Sequence, residues 1–248
     1  MTLEQFFAEN REVAIAFSGG VDSAYLLYAA TRYAARVKAY YVSTAFQPEF
    51  ELEDARRLAD ELGADMLVLH VDVLSNSAVT ANPSDRCYHC KNTLFRQILR
   101  AAESDGFPVL LDGTNASDDA GDRPGMRALR ELSVRSPLRE CGLTKAEIRR
   151  LSREAGLFTW DKPAYACLAT RIRTGEEITL QKLKQTEKAE GFLFGLGFRD
   201  FRVRMVGNTA KLELREADLP LLLENREKIV TELRKDYDSV LLNLEVRK

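Results

Sequence analysis

The chemistry-bearing residues fall in three groups. The first is Ser18-Gly19-Gly20-Val21-Asp22-Ser23, which follows the apolar run Ala14-Ile15-Ala16-Phe17 and precedes Ala24-Tyr25-Leu26-Leu27-Tyr28-Ala29-Ala30. That order predicts a buried strand, a sharp turn and a helix leaving the turn. The two glycines let backbone approach a ligand with no Cβ in the way. Ser18 and Ser23 add hydroxyls. The helix start contributes unpaired N–H groups and a partial positive charge. Together these form an anion cradle. It is not a Walker A loop, which requires a Lys-Ser/Thr pair after a longer gap.

The second group is cysteine. Cys87-Tyr88-His89-Cys90 sits at the predicted start of a helix, and a spacing of three places both sulfurs on one side of the first turn. The helix N-terminus favours thiolates. Cys167 lies far along the chain. Three chemistries fit a pair plus one distant thiol. Zinc would take a fourth ligand, with His89 or Cys141 as candidates. A redox dithiol needs only the pair. A [4Fe-4S] cluster held by three cysteines would leave one iron open to carry a sulfide. Cys141 itself reads as a small structural residue, and His70, ending an apolar strand, as a packed histidine.

The third group is arginine. Arg202 and Arg204 alternate with Val203 on a predicted strand, so both guanidiniums face one side. Two such forks suit a phosphate or a carboxylate. Arg171 and Arg173 follow Cys167 closely.

Positioning these groups requires an α/β framework. Strands are expected at residues 13–17, 39–44, 65–71 and 109–112, alternating with helices at 3–10, 24–30, 51–62, 90–103 and 144–155. Gly63 caps the helix at 51–62, and Thr144 with Glu147 forms a capping box for the last. Such alternation builds a parallel sheet covered by helices, with ligands at the carboxyl ends of its strands. The loop at Ser18 and the turn after Asp112 both lie at such ends. Residues 117–127 form a polar, flexible segment suited to an active-site loop. After Pro163 the pattern changes. A long helix (179–196), a hairpin around Gly207-Asn208, a helix (219–237) and a strand (239–246) predict a smaller α+β domain. The expected division is 1–163 and 164–248.

The chain has 248 residues, a net charge of -2 and four cysteines. The charge argues against broad nucleic-acid binding. No stretch is apolar for long enough to span a membrane, and the N-terminus lacks the order of a signal peptide. A cytoplasmic location with reduced thiols is expected.

Ser18–Ser23 resembles the PP-loop, Ser-Gly-Gly-X-Asp-Ser, of ATP pyrophosphatases. These enzymes split ATP between its α and β phosphates, adenylate a carbonyl-type oxygen, and let a nucleophile displace AMP. The resemblance implies that Ser18, Gly19, Gly20, Val21 and Ser23 hold pyrophosphate and that Asp22 helps hold Mg²⁺. Ser43 and Asp112, at strand ends, join the expected ATP site. The loop, the segment Cys141-Gly142-Leu143-Thr144-Lys145-Ala146-Glu147-Ile148-Arg149, the Cys167 region with Arg171, and Phe201-Arg202-Val203-Arg204 together resemble the LarE family. Those are ATP-dependent sulfur transferases that build the nickel-pincer nucleotide cofactor of lactate racemase.

The LarE resemblance covers nearly the whole chain. It implies adenylation of the carboxylates of pyridinium-3,5-biscarboxylic acid mononucleotide and their conversion to thiocarboxylates. Cys167 matches the position at which some members sacrifice a cysteine sulfur. Cys87 and Cys90 match the three-cysteine members, whose [4Fe-4S] cluster holds the transferred sulfide, and that version is the expectation here. Cys167 and Asp22 are the expected catalytic residues, and Arg171, Arg202 and Arg204 the expected substrate ligands. Glu190 and Glu213 match acidic metal positions, a third falling on Leu221. A sulfur donor or sulfide source and a homo-oligomer are implied. Other classes compatible with these motifs are a tRNA thiolation enzyme with an iron–sulfur cluster, an amidating ligase similar to NAD synthetase, and a nonenzymatic ATP-binding module with structural zinc.

Overall fold

The computed structural model describes residues 1–118 and 124–247. It divides into two compact units, and the division does not fall at one point of the chain. The first holds Met1–Val73 and Asp85–Ala164, the second Leu74–Ser84 and Tyr165–Lys248.

The first unit is built on a parallel sheet of β1 (Glu12–Phe17), β2 (Arg36–Ser43), β3 (Asp65–His70) and β4 (Val109–Leu111), in the order β3-β2-β1-β4. In β1, Val13, Ile15 and Phe17 face one core with Phe6, Leu26 and Leu27. Ala14 faces the other, with Tyr40, Ile98 and Phe107. A strand buried on both faces explains the unbroken apolar run that the sequence shows. Helices Leu3–Glu9, Val21–Tyr33, Glu49–Leu62 and Lys145–Glu154 bring residues to the first core, and Arg86–Ser104 to the second. Gly63 closes its helix in the left-handed region at φ 61°, and the Thr144–Glu147 capping box forms.

The chain runs outward from β1 through β2 to β3, then returns to place β4 on the other side of β1. The switch in direction falls between β1 and β4, where loops diverge and a ligand crevice opens at the carboxyl ends. The loop after β1 and the turn after β4 are the two segments that flank it.

The second unit carries β5 (Arg202–Val206), β6 (Thr209–Glu213) and β7 (Ser239–Leu242), with β5 antiparallel and β7 parallel to β6. Helix Leu180–Gly195 starts on its N-cap Thr179. Residues 74–84 belong here because Asn82, at φ 52°, donates its side-chain amide to Arg173 O at 2.8 Å, and its own carbonyl accepts from Gly175 N at 2.8 Å.

Four expectations change. The helix expected at 219–237 is two, Leu219–Glu224 and Arg226–Leu233. Asn225 interrupts it: its side chain bonds Leu221 O at 3.0 Å, and its backbone leaves the helical region. The final strand stops at Leu242 rather than residue 246. Of the segment 117–127, residues 119–123 lie outside the described residues, Ser117 and Asp118 end a turn, and 124–127 open helix Pro124–Glu131. His70 is exposed rather than packed, because it ends the outer strand of the sheet.

Candidate active site

Ser18 follows β1 directly, and Gly20 is the N-cap of helix Val21–Tyr33. The turn closes on itself through the two serines. Their hydroxyls lie 3.0 Å apart, Ser18 N donates to Ser23 Oγ at 3.2 Å, and Ser23 Oγ donates to Gly20 O at 3.1 Å. Gly19 has φ +71°, and a Cβ there would sit 3.2 Å from Ala55 Cβ. A Cβ at Gly113 would sit 2.9 Å from Ser23 N. The loop is therefore held between the Glu49–Leu62 helix and the turn after β4, with its helix-start N–H groups uncovered for an anion.

Asp22 occupies the first turn of that helix. Lys145 Nζ lies 2.5 Å from Asp22 Oδ2, while Oδ1 is buried without a partner among the described residues. Burial raises the Asp22 pKa above its ordinary range, and Lys145 opposes that shift without cancelling it. An orphaned, buried carboxylate oxygen beside a phosphate cradle fits a hard cation such as Mg²⁺. Lys145 heads its own helix, and its backbone N–H donates to Ser117 Oγ at 2.9 Å.

Asp112, assigned above to ATP, is buried and internally satisfied. Ser136 Oγ donates to it at 2.6 Å and Thr114 Oγ1 at 2.5 Å. Its carboxylate builds the turn that carries Gly113 against the loop. Ser43 ends β2 half-buried, its carbonyl taken by Val71 N at 3.0 Å. Beside Ser18, a cleft of about 140 Å³ is lined by Ala16, Tyr40, Val42, Gln47 and Phe95 among others.

A second ionic cluster supports the loop's neighbour. Lys162 Nζ reaches Glu51 at 2.9 Å and Asp54 at 2.7 Å, both on helix Glu49–Leu62. Burial raises the Glu51 pKa despite Lys162.

None of the four cysteines forms a disulfide. Cys87 is exposed and Cys90 half-buried, both in the opening of helix Arg86–Ser104. His89 Nε2 lies 3.4 Å from Asp85, the helix N-cap. Cys167, half-buried in the second unit, is the N-cap of the 3₁₀ turn Leu168–Arg171. Cys141 packs against the first core, and burial pushes its thiol pKa up, as a structural residue requires. Among the described residues, no group of three or more His, Cys, Asp or Glu side chains is arranged to hold a metal.

In the second unit the arginines divide. Arg171 is 1% exposed and pairs with Glu190, Nε to Oε1 at 2.8 Å and Nη2 to Oε2 at 3.0 Å. Its Nη1 donates to Ala166 O at 2.7 Å and Thr170 Oγ1 at 2.9 Å. Tyr165 lies under its guanidinium and donates to Glu190, which also accepts from Val203 N at 2.9 Å. Burial works against the Arg171 charge, yet Glu190 holds its pKa above the ordinary value. Arg171 and Glu190 thus form a buried pair that spends its polar atoms inside the unit.

Glu213 is also an ion-pair partner. Arg204 Nε lies 2.8 Å from it and Lys211 Nζ 3.5 Å; these cations hold its pKa low although burial opposes them. Arg204 also donates to Thr170 O at 2.6 Å. Arg202 makes no hydrogen bond or ion pair among the described residues.

Sequence reasoning gave Lys145 and Lys162 no role. For Lys145 a signal existed: a cation at the first position of a helix opposes the helix dipole, so some other partner must favour it.

Comparison with known proteins adds an independent line. The asparagine synthase family model matches residues 4–119. An uncharacterized protein of Synechocystis sp. is 40% identical over 86% of this chain and 80% of its own. The pyridinium-3,5-bisthiocarboxylic acid mononucleotide synthase of Lactiplantibacillus plantarum is 32% identical over 94% of this chain and 85% of its own. An uncharacterized protein of Methanocaldococcus jannaschii is 31% identical over 96% of this chain and 91% of its own. With the Ser18–Ser23 loop seated at the switch point of a parallel sheet, this extent of identity means that the chain belongs to the LarE family of PP-loop, ATP-dependent sulfurtransferases.

Proposed function

We propose that the enzyme converts the carboxylates of pyridinium-3,5-biscarboxylic acid mononucleotide to thiocarboxylates by way of acyl-adenylates. The observation that carries this reading is the loop at Ser18–Ser23 with Asp22 Oδ1 beside it, buried and without a partner among the described residues. The product named for the Lactiplantibacillus relative supports the choice of acceptor.

Loop N–H groups and the Ser18 and Ser23 hydroxyls hold the β and γ phosphates, and the neighbouring apolar cleft takes the adenine. Asp22 would help hold Mg²⁺, which would supply charge neutralisation to the leaving pyrophosphate. A substrate carboxylate oxygen attacks the α-phosphorus, and the bond to the bridging α–β oxygen breaks. Pyrophosphate leaves with that electron pair. A sulfur nucleophile then attacks the acyl carbon, and AMP departs with the C–O pair. Asp112 acts through Gly113, keeping the loop in place. Arg202 and Arg204 bind substrate anion.

For the sulfur source we favour a [4Fe-4S] cluster with Cys87, Cys90 and Cys167 as its ligands. What supports this reading is the donor type and the placement of the pair: Cys87 and Cys90 open one helix, and thiolate sulfur is the ligand such a cluster takes. Such a cluster supplies an open iron that can carry sulfide.

The test is anaerobic purification, iron and acid-labile sulfide assays, and reaction with ATP, Mg²⁺, sulfide and the pyridinium dicarboxylate mononucleotide. AMP, pyrophosphate and thiocarboxylate are the expected products. Zinc in place of iron removes the cluster. An active, iron-free protein whose Cys167 becomes dehydroalanine replaces it with a sacrificial cysteine. AMP formation that depends on tRNA or ammonia removes the acceptor assignment.

A further inference from the structure

Two side chains fasten the segment that leads to Cys167, and each ties it to a helix that touches the nucleotide loop. Arg149 lies one turn after Lys145 on helix Lys145–Glu154, so the two share a face of that helix. Lys145 Nζ holds Asp22 at 2.5 Å. Arg149 donates Nη1 to Trp160 O at 2.7 Å and Nη2 to Lys162 O at 2.9 Å. Burial raises the Asp22 pKa, and Lys145 and, more weakly, Arg149 pull against it. One helix thus grips both the loop's carboxylate and the backbone at 160–162.

Lys162 makes the second grip. Its side chain, 13% exposed, reaches Glu51 at 2.9 Å and Asp54 at 2.7 Å. Both lie on helix Glu49–Leu62, where a Cβ on Gly19 would sit 3.4 Å from Glu51 O. Pro163 keeps Lys162 out of the helical region, and Lys162 leaves its turn at φ -54° and ψ 124°. Pro163 and Ala164, both exposed, then lead to Tyr165, where the chain enters the second unit. There Arg171 Nη1 holds Ala166 O at 2.7 Å. Cys167 follows Lys162 by five residues, a reach of about 18 Å at full extension.

A tether restricts what it carries only if its origin is fixed. Charged hydrogen bonds, the strong class, fix this one on both its backbone and its side chain. Sulfur transfer needs such restriction, because misplacing a reacting group by about 1 Å can cost about a hundredfold in rate.

We infer that Arg149 and Lys162 are positioning residues for sulfur transfer: they fix the origin of the arm that carries Cys167 to the two helices that touch the nucleotide loop. The inference deepens the reading above and rests on it for the role of Cys167.

The test separates the two half-reactions in the full chain with ATP, Mg²⁺ and the pyridinium dicarboxylate mononucleotide. Pyrophosphate–ATP exchange without sulfide reads adenylation. Thiocarboxylate formation with sulfide reads transfer. Arg149→Met should keep exchange near wild type and lower thiocarboxylate formation about tenfold or more, the scale of a lost charged hydrogen bond. Arg149→Lys, with one ammonium for two carbonyls, should recover part of it. A Gly-Ser insertion after Ala164 lengthens the arm at an exposed position and leaves both grips in place. It should produce the same split between the half-reactions. Peptides spanning residues 158–167 should exchange amide hydrogens about tenfold faster in Arg149→Met than in wild type.

Full thiocarboxylate formation in the insertion variant, or loss of both half-reactions there, overturns the inference. If Arg149→Met loses both together, as a folding defect would cause, the insertion variant decides. If the wild type makes no thiocarboxylate, the substrate reading fails and amide exchange decides the grip. Faster exchange in Arg149→Met then keeps it, and unchanged exchange removes it.

Discussion

Lys145 Nζ lies 2.5 Å from one carboxylate oxygen of Asp22 and leaves the other buried, with no partner among the described residues. The pair divides the work of one carboxylate. One oxygen is fixed by an ammonium, so the other is aimed without help from a ligand. Preorganisation of this kind removes reorientation from the binding step.

Replacing the ammonium should disturb aim more than stability, since Lys145 is one-third exposed at its side chain. Lys145→Met is expected to lower kcat/KM for AMP formation about tenfold to a hundredfold, the scale of a lost charged hydrogen bond. Lys145→Arg should restore part of it. The readouts are pyrophosphate release and the Mg²⁺ concentration for half-maximal rate. A variant with wild-type Mg²⁺ dependence and rate would remove Lys145 from the site.

Gly113 supports the loop by lacking a side chain. A Cβ there would press on Ser23 N at 2.9 Å, against backbone that cannot give way easily. Gly113→Ala is expected to cost about 1–3 kcal/mol in overpacking and to weaken ATP binding. Denaturant titration and nucleotide titration check the two effects. Gly142→Ala, where nothing lies within 4 Å but φ is +73°, should cost some stability and leave ATP binding unchanged.

The Arg171–Glu190 pair makes the opposite prediction from a substrate ligand. Breaking a buried pair leaves an uncompensated charge, so Arg171→Met should destabilise the fold by about 3–5 kcal/mol. Calorimetry or chemical denaturation reads the loss. Full stability with a raised KM for the nucleotide substrate would return Arg171 to the binding site.

Lys162 gives a pH-dependent test. Glu51 has a raised folded-state pKa, so its buried carboxylate is best tolerated when protonated, and that contribution is lost as pH rises through the folded value. Lys162→Met removes the cation that offsets the charge, and should cost about 3 kcal/mol at neutral pH. The deficit should narrow as pH falls from neutrality toward 4.5, the unperturbed value of Glu51. Melting temperatures of both proteins across that range decide it, and a deficit that widens on acidification refutes the assignment.

Much of the molecule was legible in the sequence, and the reason is local. The loop at residues 18–23, the Thr144–Glu147 capping box, the Gly63 cap and the Gly207-Asn208 hairpin all depend on neighbours a few residues away. Strand and helix periodicity gave the α/β order for the same reason. Roles that rest on burial and distant partners were not legible. Lys145 meets Asp22 across 123 positions, and no spacing rule spans that distance. Arg171 and Glu190 stand at ligand positions by resemblance, and only the fold shows that they are buried and engage each other. Arg202 and Arg204 look alike on one strand face, yet Glu213 pairs with Arg204 and leaves Arg202 without an acceptor among the described residues. Sequence thus determined which groups the chain carries and where its turns fall. Only tertiary packing, by removing water from some charges and not from others, decided which of those groups keep an open valence for a ligand.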